Sequence, residues 1–121
     1  MRKPKTDTRR YARYDILEYA MVYHPDSEEP VRSVIVNVGL GGVQVLSRKQ
    51  LQTGDVCHVT IAKSDGTRMT MPGEVRYSNP FNGSGLFSTG MRFVPETDEQ
   101  KTEVVDYVHG VFQRQAEQLA G

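Results

Sequence analysis

The sequence predicts an all-β fold with one helix: a six-stranded antiparallel β-barrel closed by a C-terminal α-helix. Three observations carry that expectation. Six short runs are rich in β-branched and aromatic residues, and the segments between them are dense in glycine, proline, asparagine and aspartate. Beyond residue 96 the apolar period changes from that of a strand to that of a helix. Turns at such short intervals point to an antiparallel barrel rather than to alternating βα units.

The elements follow in order. Ile16 to Tyr23 and Val31 to Val38 flank His24-Pro25-Asp26-Ser27-Glu28-Glu29-Pro30, a stretch of turn formers, and read as a hairpin. Val43 to Leu46 follows the glycine-rich turn Asn37-Val38-Gly39-Leu40-Gly41-Gly42. Asp55 to Ala62 and Arg68 to Tyr77 are joined through Ser64-Asp65-Gly66, a strong turn signal. Pro72-Gly73 interrupts the second of these runs, and since proline lacks a ladder donor, a bulge, bend or edge position is expected there. Asn79 to Gly85 reads as a loop and Leu86 to Phe93 as the last strand. Thr97-Asp98-Glu99-Gln100 fits a capping box; Val104, Val108, Val111, Phe112 and Leu119 then recur at helical spacing, with Val105 alongside. The apolar face of this helix is expected to pack on the barrel.

A chain of 121 residues has room for one domain with a single modest core, here residues 14–121, preceded by a flexible basic arm over residues 1–13. Hydrophobic residues at 37% and charged residues at 25% are ordinary for a globular protein. No apolar run approaches the ~20 residues of a membrane span, no secretory signal is visible, and the lone Cys57 cannot form an internal disulfide. A cytoplasmic location is the expectation. Net charge is zero but uneven. Residues 1–13 hold six basic residues against Asp7, leaving nine basic and fourteen acidic residues for the remainder.

Enzymatic chemistry finds no frame. Gly39-x-Gly41 lacks the third glycine of a dinucleotide fingerprint, with Gln44 in its place, and there is no phosphate-binding P-loop pattern. His24, His58 and His109 are scattered, Cys57-His58 has no second pair at metal spacing, and Ser84 lacks a nucleophile-elbow context, so neither a metal, a cofactor nor catalysis is expected. Single-strand nucleic-acid binding would need aromatics interleaved with basic residues, and beyond Tyr11, Tyr14 and Arg76-Tyr77 they are missing. Those tyrosines are expected to anchor the arm or fill the barrel.

Two motifs carry the functional signal: Arg9, Arg10 and Arg13, and the turn from Asn37 to Gly42. Guanidinium groups fork onto phosphate or onto the O6/N7 edge of guanine. The turn supplies an amide side chain and a backbone that a ligand can approach closely. This is what a guanine nucleotide receptor needs. With the strand pattern, Gly90-Met91-Arg92-Phe93 in the last strand and the terminal helix, the order of features resembles the PilZ domain family over roughly residues 8 to 115.

That resemblance implies a non-enzymatic bacterial receptor for cyclic di-GMP, acting through an unidentified protein effector, as a monomer or weak dimer. Arg9 and Arg13 stand in the paired positions of the family's RxxxR signature, and Asn37 and Gly42 fit [D/N]xSxxG. Gly39 stands where the family usually has serine. The three arginines would wrap over the ligand as a lid, Asn37 would read the guanine edge, and Gly42 would permit close approach or a positive φ. Loss of the serine hydroxyl costs about 1.5–3 kcal/mol, or about tenfold to a hundredfold in affinity, while the Gly39 amide remains. Serine at position 39 is expected to tighten binding where φ is negative and to strain the turn where φ is positive. The alternative is a PilZ-like domain that no longer binds nucleotide and acts by protein contact.

Overall fold

The structure, a computed structural model, describes residues 12–120. Most of the expected arm, with Arg9 and Arg10, lies outside the described residues. Six strands form a closed antiparallel barrel: β1 (Arg13–Tyr23), β2 (Val31–Gly39), β3 (Gly42–Ser47), β4 (Val56–Ala62), β5 (Arg68–Phe81) and β6 (Leu86–Phe93), followed by helix α1 (Asp98–Ala120). Around the ring the order is β1-β2-β3-β6-β5-β4, and β4 returns to β1. The closing pair with β4 covers β1 only from Ala20 to Tyr23, so the first part of β1 pairs with β2 alone.

Alternation builds the core. Val22, Ile35, Val38, Val43, Val45, Val59, Ile61, Met69, Met71, Val75 and Met91 face inward and are fully or almost fully buried. α1 seals this core with Val104, Tyr107, Val108 and Val111, all buried in the same cluster. Its N-terminus is capped much as the sequence implies: the Gln100 N–H donates to Thr97 Oγ1 at 3.1 Å. The return bond goes one residue further back, from the Glu96 N–H to Gln100 Oε1 at 2.6 Å.

Two boundaries and the place of one irregularity differ from the sequence reading. β1 starts at Arg13, so the second arginine of the first motif is part of the sheet rather than of the arm, paired with Gly39. β5 runs on to Phe81, because Asn79, Pro80 and Phe81 still pair with Ser88, Phe87 and Leu86. The chain then reverses through Asn82, Gly83 and Gly85, all at positive φ. Pro72, for its part, pairs in unbroken register with His58. Its carbonyl accepts the Val94 N–H at 2.9 Å, but its nitrogen, on the same side of the strand, has no proton to return the bond, and β6 has ended at that point. The irregularity of β5 falls instead between Val75 and Tyr77.

Candidate functional site

The two sequence motifs meet on the outside of the barrel. Val38, Val43 and Thr89 point inward, so their neighbours Asn37, Gln44 and Ser88 point outward by strand alternation. Across these strands runs a chain of side-chain hydrogen bonds. Arg13 Nη1 donates to Asn37 Oδ1 at 2.9 Å, Asn37 Nδ2 donates to Gln44 Oε1, and Gln44 Nε2 donates to Ser88 Oγ at 2.7 Å. The row spans β1, β2, β3 and β6. Arg13 is exposed, and a guanidinium has five N–H donors, so most of its capacity faces outward.

Next to this row the register sets Arg92 opposite Gly42 and Glu74 opposite Arg92. Glu74 Oε1 takes Arg76 at 3.2 Å and Arg92 at 3.3 Å, two cations on one carboxylate. Tyr77 supplies a flat surface. A Cβ placed on Gly90 would stand 2.2 Å from Tyr77 Cε1, so the ring lies directly over the Gly90 backbone, with the residue 41% exposed. Of the two roles expected for Tyr77, filling the barrel is excluded, because the irregularity before it aims it outward over a residue with no side chain, and contact with the arm falls outside the described residues. Tyr14, in contrast, packs against Phe112 of α1 with ring centroids 5.8 Å apart. An open groove of about 850 Å³ runs along β1, β2 and β3, lined among others by Leu17, Tyr19, Val36, Leu46, Arg32 and Arg48.

The two motif glycines serve the backbone. Neither has a positive φ. A Cβ on Gly42 would lie 1.9 Å from the Met91 carbonyl oxygen, so β3 and β6 approach as closely as they do only because position 42 has no side chain. A Cβ on Gly39 would lie 2.5 Å from the Ala12 carbonyl oxygen. This corrects the expectation for serine at position 39. The φ is compatible with a side chain, yet the space is filled by backbone, so Gly39→Ser is expected to displace Ala12 and loosen the Arg13–Gly39 pair at a cost of about 1–3 kcal/mol, with no gain in ligand affinity. Thermal melts and a ligand titration of the variant check both parts.

Gln44, Ser88, Tyr77 and Arg92 were not singled out as site residues from sequence. For Gln44 a signal existed: a two-residue turn at Leu40-Gly41 sets Gly39 opposite Gly42 and therefore Asn37 opposite Gln44. The other three arrive through β6, whose partners no local pattern names.

Elsewhere the polar groups are structural. His24 Nε2 and Asp55 Oδ2 lie 2.6 Å apart and tie the β1–β2 loop to the start of β4. Burial, then the Asp55 carboxylate, pushes the Cys57 thiol up, which is the reverse of what a nucleophile needs. Ser84 donates to the Phe81 carbonyl at 2.6 Å and accepts the Leu86 N–H, holding its own turn. Among the described residues no group of three His, Cys, Asp or Glu side chains is placed to hold a metal, and no helix is long and apolar enough to cross a membrane.

Comparison with known proteins agrees with this architecture. No curated protein sequence matches significantly. Among solved structures, the c-di-GMP-bound PilZ domain of YcgR from Escherichia coli is similar with a TM-score of 0.75 at 15% identity, covering 94% of this chain and 98% of that one. The Bacillus subtilis inhibitor of motility MotI/DgrA gives 0.73 at 16% identity, over 95% of this chain but only 57% of its own. The K. pneumonia MrkH–c-di-GMP complex gives 0.77 at 12%, over 93% and 56%. The chain thus spans little more than half the length of two of these proteins. At such identities the likeness speaks for the fold, and the family itself is given by sequence: the PilZ domain model matches residues 7–110, and the chain belongs to the PilZ domain family.

Proposed function

We propose that this domain binds cyclic di-GMP on the outer face of its barrel, without catalysis, and passes the signal to a protein partner in the cytoplasm. The observation that carries the proposal is the 2.9 Å bond between Arg13 and Asn37, which joins two motifs 24 residues apart in one polar surface. The PilZ structures of YcgR and MrkH that this chain resembles are complexes with c-di-GMP, which supports the same ligand here. The residues suit it. Arg9, Arg10 and Arg13 offer charge-assisted bonds to two phosphates and two guanine edges. Asn37, released by Arg13, offers its acceptor and the N–H that Gln44 does not take to a guanine edge. Tyr77 adds a face on which a base can stack, while Gly39 and Gly42, both buried, let the strands beneath the row close up.

Binding would draw the arginines together and order the arm, which changes the exposed surface that a partner meets. A second reading, action by protein contact alone, is favoured by one observation: the Ala12 carbonyl fills the space that the family's serine side chain would take. Calorimetry with cyclic di-GMP, GTP and cyclic AMP separates the two. We expect selective micromolar binding of cyclic di-GMP. Arg13→Ala should weaken it by about 1.5–3 kcal/mol, and Arg2→Ala only slightly. No saturation by about 100 μM ligand rules the receptor out and leaves the second reading.

A further inference from the structure

Helix α1 carries a second apolar stripe besides the one it buries. Thr102, Val105, His109, Phe112, Ala116 and Leu119 follow one another at alternating steps of three and four, the a/d spacing of a heptad. The exposed members are substantial: Val105 is 52% exposed, Phe112 47% and Leu119 90%. Single exposed apolar residues are ordinary, but this helix has seven Asp, Glu, Lys and Arg residues and none of them falls on the stripe. At 3.6 residues per turn the stripe lies roughly 110° around the helix from the Val104–Val108–Val111 face that meets the barrel. It is a seam beside the barrel.

We infer that this seam pairs with the same seam of a second copy of the chain, as a parallel, in-register two-stranded coiled coil. The flanking charges choose that occupant. With Val105 at d, Lys101 falls at g and Asp106 at e, five residues on. In a parallel pair each g residue faces the e residue five positions further along the other helix, so Lys101 meets the partner's Asp106 twice by symmetry. In an antiparallel pair g faces g and e faces e; the other g residues are Val108 and Gln115 and the neighbouring e residues Gln113 and Ala120, so neither Lys101 nor Asp106 would meet an opposite charge. Lys101 is available for exchange, since its contact with Asp98 is a 3.8 Å pair between exposed side chains. By the two-fold symmetry of a parallel pair, barrels that each lie roughly 110° around the helix from the seam project to opposite sides of the axis. His109 at a, between the Val105 and Phe112 layers, is the kind of polar core position that fixes register at a cost in affinity.

Fewer than three heptads make a weak dimer, with a midpoint of roughly tens to hundreds of micromolar. Sedimentation velocity on the full chain without ligand, from about 5 μM to about 1 mM, should show a monomer–dimer transition. Leu119→Glu, at a site with almost no intramolecular packing, should raise the midpoint at least about tenfold while circular dichroism and melting stay unchanged. Asp106→Lys should weaken the dimer, and the exchange Lys101→Glu with Asp106→Lys should restore it. Leu119→Cys should cross-link under mild oxidation, because d meets d′ in register; the native Cys57 is buried and does not compete. A monomer throughout the range, a dimer indifferent to Leu119→Glu, a larger assembly, or no rescue by the charge exchange overturns the inference.

Discussion

Gly42→Ala is expected to be the most damaging single-methyl change in the barrel. Its Cβ would stand 1.9 Å from the Met91 carbonyl oxygen and 3.0 Å from Arg92 Cα, all backbone. A flexible side chain could turn away; a strand cannot. β3 and β6 would have to separate along a ladder that runs from Gly42–Arg92 to Ser47–Phe87, and we expect a loss of about 3 kcal/mol or more by urea denaturation. Gly110→Ala is the matched control. Its Cβ meets nothing nearer than Arg114 Nη1 at 3.6 Å, and alanine in a helix interior should stabilise by up to about 1 kcal/mol. Equal effects at the two glycines would show that β3 and β6 do not need the bare position.

Tyr107→Phe is expected to cost about 2–3 kcal/mol at neutral pH. The Tyr107 hydroxyl donates to Glu18 Oε1 inside the junction of β1 and α1, where Glu18 Oε2 already has no hydrogen-bond partner. Without the hydroxyl, the carboxylate keeps its burial and loses its donor. The pH dependence is diagnostic. Burial, and next the bond and charge of Glu18, push the Tyr107 pKa far up, so the folded state holds a proton that the unfolded chain releases above about pH 10. The contribution of this tyrosine is therefore fully present below pH 10 and declines as pH rises further, by up to about 1.4 kcal/mol per unit. Denaturation of both proteins at pH 8 and pH 11 should show the gap between them narrowing, and a constant gap would show that the hydroxyl is not held.

How much was legible in the sequence depended on the range of the signal. The strands and the helix rest on local alternation, period and turn residues, and all seven elements were there to read. Where they ended was harder. Asn79 to Phe81 look like a loop because asparagine and proline disfavour strands, and only pairing with β6 holds them extended. Asn37 and Arg13 were readable from motif spacing. Tyr77, Ser88 and Arg92 were not, since each joins the surface through a strand far away in the chain. Glu18 is similar. Its phase with Ala20 and Val22 points it inward, but its partner Tyr107 lies 89 residues on, so the sequence displays a carboxylate heading into a core with no visible reason. The glycines stand out in the sequence, but what keeps positions 39 and 42 bare, the Ala12 and Met91 carbonyls, is tertiary.

The opening residues of β1 serve two neighbourhoods at once. Arg13 reaches Asn37 in the polar row, Tyr14 packs on Phe112, the Asp15 carbonyl receives Gln115, and Glu18 receives Tyr107. A displacement of Arg13 from Asn37 that carried the backbone of Tyr14 with it would reach the face of α1 that carries Phe112. Linked equilibria are reciprocal: the factor by which an occupied polar row changes association through α1 is the factor by which association changes affinity at the row. With the ligand proposed for the row, a partner gripping the helix would shift, by that same factor, the concentration at which the row fills, and the threshold would belong to the complex rather than to the isolated chain.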